Sequence, residues 1–465
     1  MRKNIAFTCV LVLFASLFIS ITSVDASTIA IGNFWTAKAP LSFARGNLAA
    51  ACVDGKIYAI GGTTHQSTGM DATGETVGTN EEYNPETNAW TLKASMPMPM
   101  EEFTTAALQN KIYCIGASNA VNHRPVNEVY DPATNSWETK TPLSSMKTGM
   151  QASVINEKIY LIGGGTSQTF VYDPTTDNWT TKAPMPHTPS GWPTSCVLND
   201  KIYVISSYLT QIYDPANDSW TTCAPLPVAM TYPVSVVTSG INAPERIYVF
   251  YKEAVEEYNP TTDTWTSGAN APPLYPNTDT LDVIVLTDRW QYGVVALNDL
   301  IYTIGGSSIT YPKSIPYTPA MPGNIVRVAV NYQYTPFGYG TIPPQIYIAT
   351  PENTVYNQTD VNVTFTVNKV TSWLGYSLDG AARFEVTGNT TLTGLTDGSH
   401  NITVYAKDEF GNVGEQTINF TVTTPKPFAV LSNIQVAAVL VGIVVATCGV
   451  GLLLFRKRRI HRASL

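Results

Sequence analysis

Charge is scarce in this chain. Lys, Arg, Asp and Glu make up 13% of its 465 residues, against about 25% in an average soluble domain. The shortage falls on the basic side: 27 Lys and Arg face 35 Asp and Glu, a formal net charge of −8. With no basic stripe, nucleic acid is excluded as a partner. Histidine occurs five times and cysteine six times. No Cys-x-x-Cys and no Cys/His zinc spacing exists. A Gly-rich phosphate loop, a Ser/His/Asp set and a zinc-hydrolase motif are missing too. No cofactor is therefore expected.

Aromatic residues, glycine and proline are plentiful by comparison, and they are periodic. Tyr172-Asp173-Pro174-Thr175-Thr176-Asp177-Asn178-Trp179 has four relatives: Tyr83 to Trp90, Tyr130 to Trp137, Tyr213 to Trp220 and Tyr258 to Trp265, each with a Tyr-to-Trp spacing of seven. Tyr and Trp favour strands, and Asn/Asp-Pro followed by Asn or Asp is turn chemistry. Each copy reads as strand, tight turn, strand. A second signal runs in phase. Lys56-Ile57-Tyr58-Ala59-Ile60-Gly61-Gly62 recurs from Lys111 and Lys158, with looser copies from Lys201, Arg246 and Leu300. Four short strands per repeat of about 41–55 residues is the signature of propeller blades.

On these residues the chain resembles the kelch family over roughly residues 35–340. The double glycines at 61–62, 163–164 and 305–306, the recurring Tyr, and Trp90, Trp137, Trp179, Trp220 and Trp265 carry the resemblance. Ser206-Ser207 and Tyr251-Lys252 replace the glycines in the fourth and fifth copies, so altered turns are expected there. Trp35 has no Tyr of its own before it, and Tyr334 has no Trp after it. The expected solution is a six-bladed ring in which the segment at Trp35 supplies the last blade's outer strand. Cys52, Cys114, Cys196 and Cys223 then lie on strands about 14 Å apart or more, too far to bridge. They are expected to be free.

The flanks suggest an address. Residues 1–26 have the basic start, apolar core and small-residue exit of a signal peptide. Residues 27–340 are the expected propeller. Residues 341–424 alternate in short runs with turn signals at Asp379-Gly380 and Asp397-Gly398. They resemble the immunoglobulin-like modules of microbial cell-surface proteins, a β-sandwich. The segment 425–455 holds a juxtamembrane stretch and an uncharged run, Val436 to Phe455, long enough for one membrane helix. The basic tail 456–465 then places the C-terminus in the cytoplasm and the propeller outside. The expectation is an all-β, single-pass type I protein of the plasma membrane. Ala438, Gly442 and Ala446 could support a weak helix dimer. Between leader and tail lie 20 basic and 34 acidic side chains, about −14. Sequons at Asn178, Asn217, Asn357, Asn362, Asn389, Asn401 and Asn419 are candidates for glycosylation.

Long, variable loops on a rigid scaffold are where function concentrates. They follow the glycines and connect the blades, all on one face. Counting eleven residues back from each Lys-Ile-Tyr start gives Arg45, Met100, Lys147, Ser190 and Arg289, three cations around one channel mouth. Glu101, Glu102, His65, His123, His187, Arg124, Trp192 and Trp290 are assigned to the same face. The expected ligand is a carboxylate-bearing or polyhydroxylated group on an extracellular glycan or surface protein, gripped by Arg and stacked on aromatics. Arg in this slot also belongs to the kelch pattern, where it braces blades. The alternative is a carbohydrate-active enzyme. Resemblance to kelch-bladed copper oxidases would require two Tyr, two His and a linked Cys at the metal, and no residue here can be carried over. A sialidase- or isomerase-like reaction would need an acid/base pair, for which Glu101, Glu102 and Asp288 are the candidates.

Overall fold

The structure is a computed structural model. It describes residues 32–64, 74–117, 124–189, 191–207, 209–230, 232–272, 283–285, 292–312, 324–425, 443–454 and 456. The chain divides into two compact units, one of Met1–Pro343 with Phe410–Asn412 and one of Pro344–Glu409 with Val413–Leu465.

The first unit contains six four-stranded antiparallel sheets. Five are built from consecutive strands. The first runs Ala49–Val53, Lys56–Ile60, Asn80–Asn84, Ala89–Lys93, and the next four start at Thr104, Met150, Thr194 and Val234. The second strand of each sheet carries the Ile-Tyr motif and is buried almost throughout: Ile57, Ile112, Ile159, Ile202, Ile247 and Ile301 are 0% exposed. That burial, roughly 1.5–3 kcal/mol for each large apolar side chain, fixes the strand between its neighbours. Outer strands show a half-buried Trp among exposed positions, as in Phe34–Lys38 and Ala89–Lys93.

The sixth sheet closes the ring. Its inner three strands are Gly293–Leu297, Leu300–Ile304 and Asn331–Thr335, and its outer strand is Phe34–Lys38, with Trp35 opposite Tyr334. The closing strand reproduces a contact that every other blade makes within itself. Tyr83–Trp90, Tyr130–Trp137, Tyr172–Trp179, Tyr213–Trp220 and Tyr258–Trp265 place ring centroids 5.0–5.1 Å apart. Trp35 and Tyr334 match them at 5.0 Å.

One residue per blade ties the ring together. Asn88, Asn135, Asp177, Asp218 and Asp263 sit in the third-to-fourth-strand turn at φ of 47–53°, a backbone conformation that Asn and Asp tolerate. Each Oδ1 accepts the buried Tyr hydroxyl of its own blade at 2.6–2.8 Å. It also accepts a backbone N–H from the end of the preceding blade: Ala39, Ala94, Thr141, Ala183 and Ala224, at 2.8–2.9 Å. In return each Trp Nε1 donates to the carbonyl of that same preceding residue, for example Trp90 to Ala39 at 2.8 Å and Trp265 to Ala224 at 3.0 Å. Asn33 (φ 65°) takes the sixth place. It accepts from Tyr334 and from Ala269 N–H, while Trp35 Nε1 donates to Ala269 O at 2.9 Å.

Blades four and five turn between their second and third strands through two residues, with Ser207 and Lys252 at φ of 37° and 54°. These are the altered turns expected from the missing glycines. A three-stranded sheet of Val283–Val285, Ser307–Pro312 and Asn324–Arg327 has no counterpart in the repeat pattern. Cys52, Cys114, Cys196 and Cys223 are free thiols. Burial pushes the Cys196 thiol up to about 12, which leaves it unreactive.

In the second unit a three-stranded sheet (Ile346–Thr350, Val361–Val367, Thr390–Leu392) and a five-stranded sheet built on Trp373–Leu378, Gly398–Lys407 and Val413–Val422 share one core. Val361, Val363 and Leu392 meet Ile402, Val404, Phe420 and Val422 there. Of the expected membrane span, 443–454 are described, and they are helical. Among the described residues no helix is long and apolar enough to cross a membrane. The expected signal peptide, 1–26, lies outside the described residues.

Candidate functional site

The inner strands of all six blades surround a polar central cavity of about 240 Å³, lined by Leu48 to Ala50, Phe103 to Thr105, Gln151, Ala152, Thr194, Ser195, Val234, Ser235 and Tyr292 to Val294. Side chains link neighbouring strands around it: Ser153 Oγ lies 2.9 Å from Ser195 Oγ, and Thr194 Oγ1 lies 2.8 Å from Ser235 Oγ. At the start of these strands, on the face that carries the glycine loops and blade connections, the cavity opens into a mouth of about 90 Å³. Asn47, Glu102, Gln151, Trp192, Tyr232 and Tyr292 line it, with Phe103, Pro193 and Pro233 beneath.

The mouth has two different walls. Trp192 and Tyr232 form an aromatic pair, ring centroids 5.4 Å apart, and Tyr232 is 44% exposed. Gly149 (φ 76°) makes room for it: a Cβ there would stand 3.1 Å from Trp192 Cδ2. Facing them are hydrogen-bond acceptors. Glu101 holds Asn47 Nδ2 and Thr76 Oγ1, each at 3.1 Å. Glu102 is half-buried at φ 54°, its backbone N–H given to Asn47 O. Burial, then the neighbouring Glu101, raises the Glu102 carboxyl above its usual range; Arg327 works against both. Arg327 is itself buried and bonded to Ser307 Oγ.

Of the expected ring of cations, the two described members, Arg45 and Lys147, do not line the mouth. Arg45 is 0% exposed and turned into its own blade. It donates to Gly61 O, Thr79 O and Ala59 O and pairs with buried Glu81 at 2.9 Å. It holds the first blade together and offers a ligand nothing. Met100, at the same count, is buried, whereas Lys147 is exposed; neither lines the mouth. Ser190, Arg289, His65, His123 and Trp290 lie outside the described residues. His187 is exposed with its backbone clamped by Gln211, at 3.0 Å through its N–H and 2.9 Å through its carbonyl. Of the residues expected there from the repeat, the mouth therefore keeps Glu102 and Trp192, with Glu101 behind them. Among the described residues no group of His, Cys, Asp and Glu side chains could hold a metal ion.

Three of the residues that line the mouth stand in one repeat register. Counting back nine residues instead of eleven gives Asn47, Glu102 and Trp192, with Gly149, which makes room for Trp192, in the third blade. Gln151, Tyr232 and Tyr292 carry no such signal.

A ring of six four-stranded sheets latched edge to edge, with the repeated Tyr, Trp and glycine positions where they stand, is a kelch-repeat β-propeller. The kelch motif itself matches residues 44–97 and 146–186, the first and third blades. Among known proteins the chain is similar to halomucin of Haloquadratum walsbyi (strain DSM 16790 / HBSQ001), 39% identical over 101 residues, which is 20% of this chain and 1% of that protein. It is similar to human kelch-like protein 33, 35% identical over 82 residues, 18% of this chain and 14% of that protein. The matches thus span a small part of these relatives. Among solved structures, that of YjhT aligns with a TM-score of 0.44 at 13% identity, over 63% of this chain and 96% of the other.

Proposed function

We propose that this is a membrane-anchored cell-surface recognition protein whose propeller binds an extracellular glycan or protein partner at the channel mouth. In this reading a signal peptide delivers the chain, the propeller faces outward, the second unit is an immunoglobulin-like spacer, and 436–455 anchor it. The sequons fit that address: Asn178, Asn217, Asn357, Asn362, Asn389 and Asn419 are exposed, and Asn401 is half-buried.

The observation that carries the reading is the make-up of the mouth. At the open end of the central cavity it sets an aromatic pair on one side and acceptors on the other. Such a site suits a group projecting from a larger partner. Aromatic residues held rigidly at the centre of a surface are also where binding energy concentrates.

The test uses the full chain in detergent micelles, applied to arrays of glycans and of extracellular protein domains. A specific ligand should be found. Trp192→Ala, with an unchanged melting curve, should weaken it at least tenfold. A ligand bound equally well by that variant would place recognition elsewhere on the molecule.

A further inference from the structure

The sign of the charge at the mouth says more about what enters. If recognition takes place there, a carboxylate-bearing ligand does not suit the residues that line it. None of the described lining residues carries a positive charge. Among the described residues the charged groups nearby are few. Glu102 lines the mouth, and Glu101 stands behind it, bonded to Asn47 and Thr76. Arg327 is buried and bonded to Ser307, and Lys147 is exposed outside the lining.

A further observation points to a cation. Beside Glu102, Asn47 lines the mouth with its Nδ2 given to Glu101 and its Oδ1 buried without a partner among the described residues, so it adds no positive end there. Opposite stands the Trp192–Tyr232 pair, and aromatic faces attract cations, with Trp the strongest. From the geometry we infer that the mouth accepts a cationic side chain, arginine or lysine, projecting from a partner protein: the charged head group meets Glu102, and its stem or guanidinium plane lies against Trp192 and Tyr232. This inference rests on the recognition reading above and narrows its ligand. Ligand-free, Glu102 is a half-buried carboxylate beside a second acid, and burial and Glu101 push its pKa up. An incoming cation would relieve that. The surplus of acidic side chains between leader and tail, about −14, would speed the encounter with a basic partner at low salt.

The experiment immobilises capped five-residue peptides of Gly-Ser-X-Ser-Gly, with X as Arg, Lys, Gln or Glu, on a sensor surface. The full chain in micelles is passed over them. The Arg and Lys peptides should be retained at least tenfold better than the Gln and Glu peptides, and the preference should fall as salt rises. Glu102→Gln keeps the shape and removes the charge; it should erase the preference. Tyr232→Ser, at an exposed position, should weaken retention of the Arg peptide several-fold without altering melting. Equal retention of all four peptides, retention of none, a preference for Glu, or a preference that survives Glu102→Gln overturns the inference. A ligand found on the arrays separates the two readings. If Trp192→Ala loses it and Glu102→Gln does not, the mouth is a recognition site but not a cation site. If neither variant loses it, both readings fall.

Discussion

Asn33 shows how much a single side chain can carry. Its Oδ1 accepts both the Tyr334 hydroxyl and the Ala269 amide, so Asn33→Ala leaves the hydroxyl of buried Tyr334 short of a partner and turns the Ala269 amide over to solvent. An unsatisfied buried group costs about 1–3 kcal/mol, and a loss toward the lower end of that range should appear in urea denaturation followed by circular dichroism. Asn33→Asp should be nearly silent, because Asp177, Asp218 and Asp263 do the same work in other blades. Arg45 is the second sensitive residue. Arg45→Met removes the partner of fully buried Glu81, and breaking such a pair typically costs about 3–5 kcal/mol. The double variant Arg45→Met/Glu81→Leu should recover most of it; a double variant as unstable as the single would show that the carbonyl contacts matter more than the charge pair. In the second unit His400 places Nδ1 2.7 Å from Asp379 Oδ2 and Nε2 2.8 Å from Thr396 O. Both partners are acceptors, so the protonated ring satisfies both. The Thr396 carbonyl and then Asp379 raise the His400 pKa, while burial opposes them. Burial pushes Asp379 up, but its bonds to His400 and to Asn401 N–H outweigh that and hold it low. The histidine contribution is present below the unfolded value of about 6.5 and is lost as pH rises through the higher folded value. The aspartate contribution is present above about 3.9 and is lost on acidification through its lower folded value. Thermal melts should show this unit most stable between about pH 4 and 6.5, and His400→Gln should remove the loss on the alkaline side.

The closing strand is the element on which the ring depends. It pairs along its whole length with Asn331–Thr335. Deleting residues 32–40 would strip Trp35 from Tyr334 and Phe250, and Asn33 from Ala269. The deleted chain should lose cooperative melting altogether; a transition like that of the intact chain would show that the ring tolerates a gap. The closure was legible in the sequence, because a lone Trp35 at one end and a lone Tyr334 at the other are complementary remainders of one repeat. The blade-four and blade-five turns were legible for a similar reason, since the loss of the glycines marks them. The mouth was read less well. The position of Arg45 was assigned by counting, yet its direction is decided by Glu81, two residues before Tyr83, which provides a buried partner in this blade. The sheet of Val283–Val285, Ser307–Pro312 and Asn324–Arg327 was not legible at all. It joins segments from different loops, and no repeat records that pairing. The mouth residues Tyr232 and Tyr292 escaped for the same reason: one follows an irregular blade connection, and the other lies outside the Tyr-to-Trp strings.

At the scale of the whole molecule, the residues proposed for recognition and those that stabilise the ring are different sets. Arg45 and Glu81 hold the first blade together and the six turn residues hold blades to one another, whereas Glu102, Trp192 and Tyr232 are set on that frame with surface left over. Substitutions in the first group should shift unfolding, and those in the second should shift binding with little change in unfolding; paired melting and binding measurements on Asn33→Ala and Tyr232→Ser would show whether the division holds. The closure also has a mechanical side. The chain leaves the propeller along Asn331–Thr335, and that strand is hydrogen-bonded on both flanks, to Phe34–Lys38 and to Leu300–Ile304. If the chain is tethered beyond the propeller and holds a partner at the mouth, as proposed, the tension would be carried out through a strand clasped from two sides. Had the last strand been a free margin of its sheet, the same tension would have peeled it away one bond at a time.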